Sequence, residues 1–320
     1  MLFEVNNLKV QFDTLMGIST PVDGISYSLD EGETLGLVGE SGCGKSMSAS
    51  AIMRLIPPPG QIVNGEIILD GVDILKGSES DMRKIRGHTM SMVLQDPVAS
   101  LNPVFPIGDQ VGEAVTVSQK LQKSSLKERV IALLDMVRIP SAQDRIYEYP
   151  HQMSGGMRQR VAGAIAFASR DLRVLIADEP TTALDVTVQA QYLELLKELQ
   201  SEVGFGLIFI SHDLGAVAEL CDKVAVMYAG RIVETGDTRT IINHPRHPYT
   251  KALLDCLPRL NEVKRLEPIG GEPPYPYAFP VGCRFAPRCP NVADLCLEKY
   301  PEVIEIDKTH TAACWYANEL

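Results

Sequence analysis

The chain has 320 residues, a formal net charge of −11 and seven cysteines. That length allows two units, or one large α/β unit with an extension, and enough chain to bury a sizeable core. The acidic balance argues against a broad phosphate-backbone contact surface, so nucleic acid is not an expected partner.

In chain order, the opening MLFEVNNLKVQF alternates as a strand does; no basic region is followed by an apolar stretch, so it does not read as a secretory signal. Five short apolar runs then end abruptly in polar residues: TLGLVG (34–39), TMSMVLQ (89–95), RVLIADEP (173–180), GLIFISHD (206–213) and KVAVMYAG (223–230). Runs this apolar, separated by helical patterns such as Val188 to Val203, predict parallel strands buried on both faces, with function at their ends. Between about 96 and 170 the strand pattern gives way to helical spacing, as in SLKERVIALLDMVRI (125–139), which predicts a helical insertion in an α/β unit over 1–243. From 244 to 320 prolines crowd the chain, among them Pro273, Pro274, Pro276, Pro280, Pro287 and Pro290, and predict an irregular extension that buries little core of its own. No apolar run approaches the ~18–20 residues that span a bilayer, so a cytosolic chain reaching the membrane through a partner is expected.

GESGCGKS, Gly39 to Ser46, follows the first apolar run and matches G-x-x-x-x-G-K-[ST]. Glycines let such a loop wrap a phosphate with its N–H groups pointing inward, and the next helix offers its positive end. The expected nucleotide-binding segment is Gly39, Glu40, Ser41, Gly42, Cys43, Gly44, Lys45 and Ser46 with the adjoining Met47. In it Lys45 reaches the β- and γ-phosphates and Ser46 ligates magnesium. A second magnesium ligand is expected where an apolar run ends in an acid, at Asp178; Glu179 follows and is placed to polarise attacking water.

With those two stretches, MSGGMRQR (153–160) resembles the signature motif of the ATP-binding-cassette (ABC) ATPases. Gln95 in VLQDP is similar to that family's Q-loop, Ala183-Leu184-Asp185 to its D-loop and His212 in ISHD to its switch histidine. The resemblance implies a P-loop NTPase core of α/β class with a helical insertion and a small cysteine-containing C-terminal domain. It implies ATP hydrolysis with Glu179, His212, Gln95 and Lys45 as catalytic residues, and Ser46, Gln95 and Asp178 on magnesium. Ser154, Gly155 and Gly156 open an amphipathic stretch and leave bare N–H groups for an anion; by resemblance that anion is the γ-phosphate held by the opposing subunit in a head-to-tail dimer, with Asp185 close by. Met153 and Met157 stand where the family has Leu and Gln most often, and backbone N–H groups are expected to keep the motif competent. Phe12 stands near the place of the family's adenine-stacking aromatic, although one aromatic ending a strand is also an ordinary core residue.

QDPVASLNPVFPIGDQ (95–110), YPHQMSGGMRQRV (149–161), HPRHPYTKALL (244–254) and the cysteine tail together resemble the ATPase subunits of bacterial dipeptide and oligopeptide importers. Two permease subunits, a second ATPase (self or paralogue), an extracytoplasmic solute-binding protein acting indirectly, and a peripheral place on the cytoplasmic face of the membrane are what this implies. Importers of nickel or another small solute are the alternative within the group. ABC ATPases acting on DNA carry long coiled coils, and ribosome-associated ones carry two cassettes in one chain; neither feature is found here.

Cys283, Cys289, Cys296 and Cys314 are separated by five, six and seventeen residues, and clustering in a reducing compartment favours metal over disulfide. Zinc sites usually bring tight C-x₂₋₄-C pairs, whereas Cys289-Pro290 matches the Cys-Pro that closes many iron–sulfur runs. Resemblance to the importer group implies a [4Fe-4S] cluster; zinc and reversible disulfides are the alternatives.

Overall fold

The computed structural model describes residues 1–119, 122–257 and 268–319. Two long strands, β1 (Phe3–Thr14) and β2 (Gly17–Leu29), precede the short β3 (Thr34–Val38), helix α1 (Lys45–Ile52), and strands β4 (Gly60–Leu69) and β5 (Val72–Asp73). Helix α2 (Glu79–Ile85) starts at Ser78, whose hydroxyl accepts from the Asp81 N–H while the Asp81 carboxylate accepts from the Ser78 N–H. After β6 (Met90–Val93) come α3 (Pro97–Ser100), α4 (Ile107–Ser118), α5 (Lys123–Met136), α6 (Ala142–Arg145) and α7 (Gly155–Ala166), the helical insertion expected from the sequence. The chain then alternates through β7 (Val174–Asp178), α8 (Val186–Val203), β8 (Gly206–Ser211), α9 (Leu214–Leu220), β9 (Lys223–Tyr228) and β10 (Arg231–Asp237). It ends in α10 (Thr238–Asn243), α11 (Pro248–Asp255), α12 (Asp294–Glu298), and the two-residue strands β11 (Ile304–Glu305) and β12 (Thr311–Ala312).

One sheet has the order β2-β1-β4-β5 and is antiparallel. The other has the order β11-β12-β10-β9-β3-β8-β7-β6, in which β9, β3, β8, β7 and β6 are parallel. These five strands are the five apolar runs. Every residue of β3, β7 and β8 is buried, which is why they read as continuous rather than alternating. Successive side chains enter opposite layers: Ile208 and Ile210 pack with the antiparallel sheet, Leu207 and Phe209 with the helices. Since β3 lies between β9 and β8, the loop leaving its C-terminal end emerges beside the ends of β8 and β7, where open α/β sheets bind ligands.

The tail is as irregular as its prolines require, but it is tied to the rest of the chain more firmly than they suggest. Its local cluster is small, centred on Ala312, Cys314 and Ala317, whereas Phe285 and Tyr249 are buried in the main helical-side core. β12 pairs with β10 through Ala312 and Thr311 opposite Glu234 and Thr235. The fully buried Glu234 carboxylate accepts from the N–H groups of Arg246 (2.6 Å) and His247 (2.9 Å) and meets His310 Nε2 at 2.7 Å. Asp23 on β2 ties further segments together, bonded by Lys9 (2.9 Å), Arg231 (3.0 Å) and the buried Arg284. Burial alone would raise the Asp23 carboxyl; the Lys9 hydrogen bond and the charges of Arg284 and Arg231 outweigh it and hold the group at about 2. Thus the extension borrows core and charge partners from residues 1–243 instead of building them locally.

Candidate functional site

Glycine is obligatory at two places in the loop from Gly39 to Ser46. Gly39 (φ +155°) and Gly44 (φ +110°) have left-handed backbones, and a Cβ on either would lie 2.1 Å from a carbonyl oxygen, of Met227 and Pro21 respectively. The loop therefore closes tightly against β9 and β2. Lys45 is only 4% exposed and donates its ammonium to the carbonyls of Gly39 (2.8 Å) and Glu40 (3.1 Å). Ser46 Oγ donates to Asp178 Oδ1 at 2.9 Å, so two of the three predicted magnesium ligands, 132 residues apart in the chain, are in contact. Burial, with Glu179 as a like-charged neighbour, pushes the Asp178 carboxyl above its usual range. A buried carboxylate in that environment suits a divalent cation, which would supply the compensating charge.

Glu179 follows at the end of β7 with φ +46°, a conformation rare for a residue with a side chain, and its N–H is held by Ile210 O on β8 at 2.9 Å. Three groups converge on its Oε2: Gln95 Nε2 at 3.1 Å, Thr182 Oγ1 at 3.0 Å and His212 Nδ1 at 3.2 Å. Oε1 has no such partner among the described residues. Gln95, Glu179 and His212 line one cleft with Ser41, Gly42, Gly44, Lys45, Ser46 and Met47, of about 540 Å³. Pro21 and Thr182 also line it and were not anticipated, although Thr182 stands at turn spacing after Glu179, where a short hydroxyl can reach back. Within the loop Cys43 is buried, and Glu40 sits half-buried near its start.

Phe12 is not among the residues lining this cleft. Its ring lies over Gly60 of β4, where a Cβ would come within 2.4 Å of it, and it packs at the edge of the antiparallel-sheet core. Ser154, Gly155 and Gly156 are also placed elsewhere. Ser154 Oγ caps α7 by accepting from the Met157 N–H (3.3 Å), Gly156 packs so closely on Val188 that a Cβ would lie 2.6 Å from its methyl, and Asp185 caps α8 through the N–H groups of Thr187 and Val188. The signature and the D-loop stretch thus form one edge, with Ser154 and Gly155 exposed. Met153 is buried, and Met157 packs half-buried on the core.

The four tail cysteines, spread over thirty-odd residues of irregular chain, line one small apolar pocket with His247, Phe285 and Trp315. The Cys283 N–H donates to Cys296 O at 2.7 Å, which brings the two strands of chain together. Burial pushes the Cys283 thiol up to about 11, and burial likewise raises Cys289 and Cys314, each with neighbouring cysteines adding to the effect. Among the described residues, no three His, Cys, Asp or Glu side chains are gathered tightly enough to hold one metal ion. The sulfurs surround a pocket but do not make the close tetrahedron of a zinc site, where each Zn–S bond is about 2.3 Å.

Comparison with known proteins accounts for both halves of this arrangement. Residues 22–182 match the ABC transporter family, and residues 233–296 match the oligopeptide/dipeptide transporter C-terminal region. The chain is 46% identical to the dipeptide transport ATP-binding protein DppD of Bacillus subtilis, covering 99% of this chain and 95% of that one. It is also 46% identical to DppD of Escherichia coli (98% and 96% covered) and to the oligopeptide transport ATP-binding protein OppD of Bacillus subtilis (98% and 88%). Among solved structures, a dimeric ATP-binding cassette bound to ADP and phosphate superposes with a TM-score of 0.67 at 23% identity, covering 74% of this chain and 99% of that one, a likeness of fold. CbiO1 of Clostridium perfringens, part of an ABC transporter complex, does so with a TM-score of 0.64 at 26% identity, covering 76% and 91%. With the phosphate loop and strand-end carboxylates inside the first matched stretch and Cys283, Cys289 and Cys296 inside the second, the chain belongs to the ABC transporter ATPases, in the group that carries the oligopeptide/dipeptide transporter C-terminal region.

Proposed function

We propose that this chain hydrolyses ATP to drive a bacterial importer of di- or oligopeptides. The observation that carries the reading is the Glu179 carboxylate, fixed at the mouth of the phosphate-loop cleft by Gln95, Thr182 and His212 through one oxygen. Its other oxygen is then the acceptor for a proton from water attacking the γ-phosphate, while Lys45 leaves its resting carbonyls for the phosphates. Ser46, Asp178 and Gln95 would hold magnesium, which neutralises the phosphate chain when bound. His212, exposed and within hydrogen-bond reach of Glu179, would help to orient the water. The N-terminus of α7, where Ser154 and Gly155 are exposed, serves the nucleotide of a second ATPase, self or paralogue, so two ATP molecules lie between two chains. Phe12 packs on Gly60 at the edge of the antiparallel-sheet core, and we assign it to the core rather than to adenine stacking.

No helix among the described residues is long and apolar enough to cross a membrane. Two permease subunits would hold the ATPase at the cytoplasmic face, with an extracytoplasmic binding protein delivering solute. The relatives' names, dipeptide and oligopeptide transport proteins, support peptide over nickel. Purified with its permeases and binding protein, the transporter should hydrolyse ATP several-fold faster with short peptides and no faster with nickel. Stimulation by nickel alone would move the chain to the other branch of the group.

The four cysteines would hold a [4Fe-4S] cluster. What supports this reading is the convergence of the four thiols on one small apolar pocket. When bound, the cluster would supply positive charge that lets the buried thiols ionise. It lies apart from the residues lining the ATP cleft, and its part is to staple the tail.

A further inference from the structure

Glu40, the second residue of the phosphate loop, is held by residues from the far end of the chain. Arg288 grips its carboxylate with both prongs of the guanidinium, Nη1 to Oε2 at 2.7 Å and Nη2 to Oε1 at 2.9 Å. The Glu40 N–H donates to the Tyr249 hydroxyl at 2.8 Å. The remaining donors of Arg288 are also engaged: Nε with Gly270 O at 2.9 Å, and Nη1 additionally with Tyr228 Oη at 3.2 Å. The side chain is 4% exposed. So fully bonded and buried a guanidinium has one orientation, and its planar fork fixes the direction of the carboxylate as well as its distance. Arg288 closes the short 3-10 turn Ala286–Arg288 and directly precedes Cys289, so the grip originates in the cysteine-bearing turn.

Two physical effects on ATP follow. The Glu40 carbonyl is one of the two acceptors on which Lys45 rests, so the pose of Glu40 helps set where Lys45 and the loop N–H groups point. The Glu40 carboxylate is also a negative charge in the loop that must receive a triphosphate, and Arg288 cancels it at a site only partly open to screening water. We infer that Arg288 is a positioning residue for ATP binding, through which the C-terminal cysteine unit sets the phosphate loop by way of Glu40. The inference rests on the ATP-binding reading of Gly39–Ser46.

The test is calorimetric titration of the full-length chain with ATP and magnesium, for wild type, Arg288→Gln, Arg288→Lys, Glu40→Gln and the double variants, with the thermal midpoint recorded for each. Arg288→Gln leaves the Glu40 charge unpaired and should weaken ATP about tenfold. Arg288→Lys keeps the charge without the fork and should fall between that and wild type. In the Glu40→Gln background, replacing Arg288 should cost at most twofold, because the charge it cancels and the carboxylate it aims are gone. If Arg288→Gln does not fold, the Lys variant in the two backgrounds makes the same comparison. Affinity unchanged by Arg288 substitution, or lost equally in both backgrounds alongside a lower midpoint, would overturn the inference and leave Arg288 a purely structural residue. Failure of the wild-type chain to bind ATP would instead remove the nucleotide reading, and this inference with it.

Discussion

Glu179→Gln is expected to bind ATP with near-normal affinity and hydrolyse it about 10²–10⁴-fold more slowly. The amide has the shape of the carboxylate, so the contacts from Thr182 and Gln95 and the strained backbone at φ +46° can persist. What it lacks is a basic oxygen to take the proton from attacking water. Phosphoryl transfer gives the protein little covalent work, so loss of water activation shows in turnover and not in binding, which depends on Lys45 and the loop N–H groups. Steady-state hydrolysis by the assembled transporter, beside equilibrium ATP binding, separates the two. Turnover within a few-fold of wild type would mean that another group orients the water.

Anaerobic purification should give a brown protein with about four irons and four sulfides per chain. Replacing Cys314 with Ser should abolish that stoichiometry and open the segment around residues 281–316 to protease. Global unfolding is not expected, because Phe285 and Tyr249 are seated in the main core and Glu234 pins β12 to β10 independently of the thiols. Stoichiometric zinc without iron would keep the staple and change its metal. Four free thiols in an equally protease-resistant tail would remove both.

The parallel strands were legible in the sequence because burial on both faces leaves uninterrupted apolar runs, and the phosphate loop because its glycines and lysine have few substitutes in that role. Ser46, closing the phosphate loop, and Asp178, ending an apolar run, were each legible as magnesium ligands, and the structure puts them in contact. The grip of the tail on the cassette was not legible. Arg284 meets Asp23 across 261 residues and Arg288 meets Glu40 across 248, and neither pairing leaves a periodicity or a spacing to read. Proline content spoke only of irregular backbone, and nothing local announces that Tyr249 and Phe285 fill a distant core. Phe12 shows another limit: its position along the chain left a ligand contact and a core seat both open, and its ring packs on Gly60, whose missing side chain makes room for it. The thiols' convergence on one pocket likewise depends on the fold of the chain between them, including the Cys283–Cys296 backbone hydrogen bond.

Solute uptake measures directly whether ATP hydrolysis at this cleft drives solute inward. The chain would be reconstituted with its permeases in vesicles enclosing ATP and magnesium, with the solute-binding protein and a labelled short peptide outside. Peptide should accumulate inside above its external concentration, and should stop doing so when the enclosed nucleotide is a non-hydrolysable analogue or the chain carries Glu179→Gln. Accumulation that persists with the analogue, or brisk hydrolysis with no labelled peptide crossing, would contradict that coupling.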